Sequence, residues 1–375
     1  MKIFLTGVGA LLLGTAPVLA GGIERAPQSL GILFEQGNYV EFNGGRVSPD
    51  VEGRDLLQYG GRKTGDVAGN YSFYGLGYKH QFNDNLSAAL IVEQPYGSDV
   101  VYPRTTATSG SAMLGGTYAT VDSTTYTAIL RYRADNNFSI HGGIRGSHAD
   151  GDVGLTGAAY GPLSGYRVQL DDTWGWGYVV GVSYERPEIG ARVSLTYNSE
   201  IEHDFDTRET IGGNPVAPKS TTTVSTPKSW NLEAQTGIAE DTLLLGSIRW
   251  VDWSSFKVDP RFFTQAAGEG LVSLEDTTTY TIGVGRKFND QWSGVFSFTY
   301  EPKNNKLVSP LAPYNGRKGI SLAAIYTQDR FKITTGITYA KLGDADPETG
   351  TPDAARARMR DSDLLGVGVK VGYSF

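Results

Sequence analysis

Few residues in this chain have the types and spacing for reaction chemistry. The histidines are His80, His141, His148 and His203, and there is no cysteine. Nucleophilic catalysis needs a Ser or Cys held by a base, and no Ser–His pair sits in a recognisable hydrolase setting, so no catalytic residue is expected. His148, Asp150 and Asp152 alternate and could hold a cation, or they could simply open a polar loop; no metal site is assigned. Gly366-Val367-Gly368 lacks the strand–turn–helix context of a phosphate loop, so no cofactor is expected either. Binding suits the residues better. Inward-facing Arg145, with His148, could take a carboxylate through charge-assisted hydrogen bonds, or could pair with the chain's own acids. Arg356, Arg358 and Arg360 could attract a carboxylate or phosphate, or could balance Asp344, Asp346, Glu348, Asp353, Asp361 and Asp363.

The elements that would position these residues are strands. Residues 363–375 alternate: Leu365, Val367, Val369, Val371, Tyr373 and Phe375 share one face, and Leu364, Gly366, Gly368, Lys370, Gly372 and Ser374 the other, mostly small or polar one. Successive strand residues point to opposite faces, giving an apolar wall that ends on an aromatic. That suits the closing strand of a membrane barrel. The same alternation groups Trp174, Trp176, Tyr178, Val180, Val182 and Tyr184, then Trp292, Phe296, Phe298 and Tyr300, then Phe331, Ile333, Ile337 and Tyr339. Aromatics at strand ends fit two interfacial girdles. By parity Arg131, Arg133, His141, Arg145, Arg249 and Lys370 point inward, away from a lipid face where a charge near midplane would cost about 2–4 kcal/mol.

Residues 1–20 read as a secretory signal peptide, with Lys2, an apolar run to about Leu13 and a small-residue cleavage site at Ala20. No later stretch approaches the roughly 20 apolar residues of a membrane helix. An exported chain that spans a membrane without helices must do so as a closed barrel. The net charge of −7 argues against a nucleic-acid partner.

Short polar breaks recur at Asn83-Asp84-Asn85, Asp135-Asn136-Asn137, Arg186-Pro187-Glu188, Glu240-Asp241, Asn289-Asp290 and Gln328-Asp329. Longer Gly/Pro-rich stretches alternate with them, near 48–66, 98–122, 149–172, 204–227, 255–276, 302–316 and 343–361. Six tight turns and seven long loops give fourteen strands with both ends on the turn side. The expected fold is all-β, a 14-stranded antiparallel transmembrane β-barrel over 35–375, with a short N-terminal plug at 21–34.

Several stretches carry a family resemblance: WGWGYVVGVSYE (174–185), RVSLTYNSEIEHDF (192–205), PKSWNLEAQTGI (227–238) and LLLGSIRWVDWSSF (243–256), with IERAPQS (23–29) and 316–342. In that order they resemble the outer-membrane long-chain fatty-acid transporters, the FadL/TodX/OmpP1 family. The resemblance implies a 14-stranded barrel, a lumenal N-terminal plug, a surface groove for hydrophobic ligands and a kinked third strand that opens the wall sideways. Where the family has an Asn-Pro-Ala plug motif, this chain has Arg25-Ala26-Pro27-Gln28, and its plug is short.

Pro95, Tyr96 and Gly97 fall where the third strand should still run. Pro and Gly mark edges, bulges or kinks, so the strand either ends there or is broken; the resemblance favours a lateral gate. Leu155, Tyr160, Leu163 and Tyr166, with Phe262 and Phe263, are apolar residues in expected loops, suited to loop–loop packing or to a hydrophobic capture groove. The function expected is passive outer-membrane transport of long-chain fatty acids or similar hydrophobic molecules. A diffusion porin for polar solutes and a structural or adhesive surface barrel are the alternatives. The expected partners are the hydrophobic ligand, outer-membrane lipid and lipopolysaccharide, and the barrel-assembly machinery that a C-terminal Phe would engage.

Overall fold

The computed structural model describes residues 23–26 and 28–375, so the expected signal peptide lies outside the described residues. Among these, fourteen antiparallel strands close into a barrel: β1 (Tyr39–Asp50), β2 (Tyr71–Gln81), β3 (Leu86–Glu93 and Gly97–Val101), β4 (Tyr118–Arg133), β5 (Phe138–Leu155), β6 (Tyr166–Arg186), β7 (Ala191–Asn198 and Ile201–Ile211), β8 (Ser220–Thr226 and Ser229–Ala239), β9 (Thr242–Val251), β10 (Thr277–Lys287), β11 (Trp292–Glu301), β12 (Arg317–Gln328), β13 (Phe331–Leu342) and β14 (Asp363–Ser374). Each strand pairs with its chain neighbours, and β14 closes on β1 with Ser374 opposite Tyr39 and Asp363 opposite Asp50. Closure leaves no free edge, the condition for a sheet in lipid.

The alternation in the sequence sorts side chains as expected. Leu365, Val367, Val369 and Val371 are exposed on the outer surface, as are Trp174, Trp176, Phe296 and Ile337. Arg131, His141, Arg145, Arg249 and Lys370 are buried inside. The tight turns sit where the polar breaks predicted, and Asn137, Asp241 and Asp329 there adopt positive φ, a conformation that Asn and Asp tolerate well.

Two expected loops are largely strand. Instead of 149–172 and 204–227, β5 runs to Leu155, β6 starts at Tyr166, β7 runs to Ile211 and β8 starts at Ser220. The physical reason is the outer face: Glu202, Asp204, Asp206 and Arg208 point out into solvent while His203, Phe205 and Thr207 are buried. Above the membrane the alternation persists but is polar outside, so it reads as loop.

The chain before β1 lies inside the barrel. A one-turn 3-10 helix, Gly31–Phe34, buries Ile32 and Leu33 near the turn end. Arg131 donates to the Leu33 carbonyl at 3.0 Å, and the Arg131 and Arg192 guanidiniums stack on Phe34 at 4.6 and 4.1 Å. Lys79 donates to the carbonyls of Glu35 and Gly37, and Lys332 pairs with Glu35 at 2.6 Å.

Candidate binding chamber and wall breach

Three of the expected site residues meet at the break in β3. The chain leaves the ladder at Gln94-Pro95-Tyr96, since proline has no N–H to donate. Below the break Val92 opposes Leu76; above it the next bridge to the β2 side joins Ala68 with Val100. Between them β2 and β3 share no ladder, and the Tyr74 N–H takes the Gln94 side-chain oxygen at 3.1 Å. Residues 23–26 supply the missing partners from inside. Arg25 and Ala26 N–H groups donate to the Pro95 carbonyl at 2.7 and 3.2 Å, and Gly97 N–H donates to the Ile23 carbonyl at 2.9 Å. Gly97 lets the Arg25 guanidinium lie against the backbone: a Cβ there would be 2.3 Å from the guanidinium carbon, which would have to shift.

A layer of paired charges fixes this segment across the lumen. Glu24, fully buried, forms an ion pair with Arg249 of β9, whose Nε is 3.1 Å from Glu24 Oε2. Arg25 pairs with Asp122 at 3.1 Å and lies over the Tyr71 ring at 4.7 Å. Gln28 donates to the Tyr96 hydroxyl at 2.6 Å and accepts from Arg145 at 2.6 Å. Arg145 also reaches Asn198 and Glu93, at 3.3 and 3.5 Å. Buried charges persist only when paired and hydrogen-bonded, so this layer ties Glu24, Arg25 and Gln28 across the lumen as a polar floor to the chamber.

Above the floor lies an apolar chamber of about 800 Å³ counting its open mouth. Ile23 and Tyr96 form its base. Its walls include Val153, Leu170, Phe205 and Val224 from β5 to β8, with Phe256, Val258, Leu271 and Leu274 from the 252–276 loop. Its ionisable liners are Asp150 and His203, and the carbonyls of Ile201 and Ser147 lie 3.2 Å from the two ring nitrogens of His203. A second cavity, about 500 Å³, sits behind the β2–β3 breach, lined by Gly69, Tyr71 and Gly97 to Val100. The two cavities share Ile23, Ser98, Leu311 and Ala312.

The structure redistributes the other expected site residues. Leu155, Tyr166 and Phe263 are buried in the apolar cluster around the chamber, with Tyr160, Leu163 and Phe262 packed against it, yet none of the six lines the chamber. They hold its roof. Glu209 accepts from the Phe262 and Phe263 N–H groups and the Tyr166 hydroxyl, all within 2.9 Å, fixing the start of helix α1 (Arg261–Ala267) against β6 and β7. Arg145 and His148 do not form one anchor. An odd spacing puts them on opposite faces: Arg145 is buried inside, whereas His148 points out, 3.2 Å from Asp172 and against Trp174. Asp152 is turned to Tyr118 and Arg167, so it does not join His148 and Asp150 in a cation site. The chamber residues Phe256, Val258, Leu271 and Leu274 carry no sequence period because the 252–276 loop is irregular; beside the recognised Phe262 and Phe263, Trp253 and Phe256 are the signal, as aromatics in a polar stretch.

Far above the chamber, Glu348 of the 343–361 loop has its carboxyl pushed up to about 7 by burial, then by Asp353 and by Glu269 after α1. Thr351 donates to Glu269 at 3.0 Å, joining the two loops. A carboxyl raised above its unfolded value stabilises the contact fully below pH of about 4.5 and loses that contribution as pH rises through about 7. Spin labels on the two loops should therefore show a closer, narrower distance distribution at pH 5 than at pH 8, and Glu348→Gln should remove the pH dependence. Identical distributions at both pH values in the unsubstituted protein would contradict this.

Comparison with known proteins gives one consistent answer. The family described as Outer membrane protein transport protein (OMPP1/FadL/TodX) matches residues 36–372. The long-chain fatty acid transport proteins of Salmonella typhi and Escherichia coli K12 are 26% and 24% identical over 196 residues, 47% of this chain and 42% and 41% of theirs. The chain thus matches less than half the length of these curated relatives. A FadL homologue from Pseudomonas aeruginosa superposes with a TM-score of 0.73 at 14% identity, covering 100% of this chain and 99% of the other. The toluene transporter TodX of P. putida gives 0.65 at 15%, covering 92% and 91%.

Proposed function

Because the chain belongs to the OMPP1/FadL/TodX family of outer-membrane transport proteins, we propose that it carries hydrophobic small molecules, such as long-chain fatty acids or aromatic hydrocarbons, passively through the outer membrane and releases them sideways at β3. The observation that carries this reading is an apolar chamber with a polar floor whose neighbouring cavity lies behind the β2–β3 breach. The apolar lining suits a hydrophobic ligand, since ligand pockets are lined mainly by apolar and aromatic side chains. Each CH₂ moved from water into it gains about 0.8 kcal/mol. The floor turns the ligand away from the barrel axis, and the missing β2–β3 ladder offers an opening where no strand hydrogen bonds need break in lipid. Relatives whose names specify long-chain fatty acids and toluene are consistent with either ligand class.

The chamber can be tested directly. Val224→Glu places a carboxylate in an apolar wall; Val224→Leu keeps the wall apolar. Uptake of a labelled hydrophobic ligand should fall at least about tenfold in the first, since an unpaired buried charge costs several kcal/mol and about 1.4 kcal/mol is tenfold. The leucine variant should retain uptake. Equal uptake by both, with barrels equally heat-modifiable, would place the route elsewhere.

A further inference from the structure

A second seam in the wall lies between β6 and β7. Val179 opposes Asn198 and Leu170 opposes Thr207, but residues 171–178 and 199–206 between them share no ladder. Only Tyr178 and Ser199 are bonded there, Ser199 N–H donating to the Tyr178 carbonyl at 3.0 Å and Tyr178 N–H to Ser199 Oγ at 2.9 Å. The strands overlap instead. A Cβ at Gly175 would lie 2.3 Å from the Glu202 carbonyl oxygen, and one at Gly177 would lie 2.7 Å from Ile201 Cγ1. These glycines face inward, so β7 passes along the inner side of β6. His203 reaches beyond β6 to the Ser147 carbonyl of β5 at 3.2 Å. This stretch of wall is lapped, not knitted.

The geometry allows the lap to part. The β7–β8 ribbon breaks at 199–200 and 227–228, directly opposite each other, and β9 ends at Val251 facing Ser229. Above that level the ribbon's backbone ladder to the barrel is confined to residues 207–211 against 166–170, with side-chain ties from His203 to Ser147, Arg208 to Asp171 and Glu209 to Tyr166. Its inner face, His203 and Phe205 with Val224, is chamber wall. Outside, Trp174, Trp176 and Tyr178 are exposed beside Tyr126, Tyr197 and Trp230, an aromatic belt of the kind found at membrane interfaces. Glu200 and Glu202 also point outward, which fits the interface, where a lipid-facing charge costs about 0–1 kcal/mol, and not midplane.

We propose that this seam is a second side opening, through which an uncharged hydrophobic molecule already dissolved in the outer leaflet slips between β6 and β7 into the chamber. The ligand is uncharged because a full charge is costly in the bilayer interior, and Glu200, Glu202 and Asp204 beside the seam repel an anion. Inside, the His203 ring is already tied to two backbone carbonyls. The inference rests on the transport reading above; it adds where the ligand comes from and what charge it carries.

The test uses the full-length protein, which has no cysteine of its own, in liposomes whose bilayer carries an uncharged diazirine-bearing alkylbenzene. To remove access through β3, the chain also carries Pro95→Val and Gly97→Val. Gly177→Cys with Ile201→Cys places two sulfurs within disulfide reach, and Gly177→Cys with Ser199→Cys, where a Cβ would be 2.6 Å from Ser199 Oγ, is a second lock. Photolabelling of the peptide containing His203 and Phe205 should fall several-fold when either lock is oxidised and recover on reduction. Equal labelling of oxidised and reduced protein in both pairs would overturn the side opening and leave the transport reading intact. No labelling even in the unsubstituted protein would overturn both.

Discussion

Arg249→Ala should convert a closed barrel into a leaky one. Glu24 is fully buried and relies on Arg249, which also donates to Ser229 and Asn231. Removing the cation leaves a buried carboxylate uncompensated, a loss on the order of 3–5 kcal/mol. The fourteen-strand ladder does not depend on that pair, so the cost falls on the docking of residues 23–26. What remains to hold them is Arg25 on Asp122 and the backbone bonds to Pro95 and Gly97. Liposomes bearing the variant should swell in a small sugar much faster than those bearing the unsubstituted protein. Replacing both partners, Glu24→Gln with Arg249→Met, should restore much of the closure, because no charge is then stranded. Unchanged swelling with Arg249→Ala would show that the charge layer is not the floor.

Sealing the third strand should cut uptake severely. Pro95→Val returns an N–H to the ladder. Gly97→Val drives a side chain into the Arg25 guanidinium, which must leave the Tyr71 ring and Asp122. The β2–β3 pairing can then continue upward from Leu76 and Val92. Transfer of a hydrophobic ligand into the membrane should drop by about an order of magnitude, since the floor and most of the remaining wall are closed by hydrogen bonds that cost several kcal/mol each to break in lipid. Binding in the chamber should persist. Normal transfer by a variant whose amides at 70–76 have become exchange-protected would exclude release at β3.

The barrel was legible because its signals are local. Asn83, Asn137, Asp241 and Asp329 announce turns, and the period of two in 363–375 announces a wall. Arg249 could be placed inward by parity alone. Its partner could not, because Glu24 lies in a segment without a period, and only closure of the barrel brings the two together. Pro95 and Gly97 marked the break in β3 through their backbone chemistry. Gly175 and Gly177 were visible as a small inner face, yet nothing local shows that β7 lies against them. The roof residues Tyr160, Leu163 and Phe262 were recognisable as apolar loop positions, but which of them faces a cavity depends on how three loops pack. His148 was misplaced beside Arg145 by attention to charge over parity.

A barrel built in this way should move hydrophobic molecules and not polar ones. The most direct measurement is a paired flux assay on the unsubstituted protein in one liposome preparation, following a labelled hydrophobic ligand and a small neutral sugar together. The account predicts protein-dependent transfer of the hydrophobic ligand while sugar entry stays at the protein-free rate. Rapid sugar entry without protein-dependent hydrophobic transfer would contradict it and make the chain a diffusion porin.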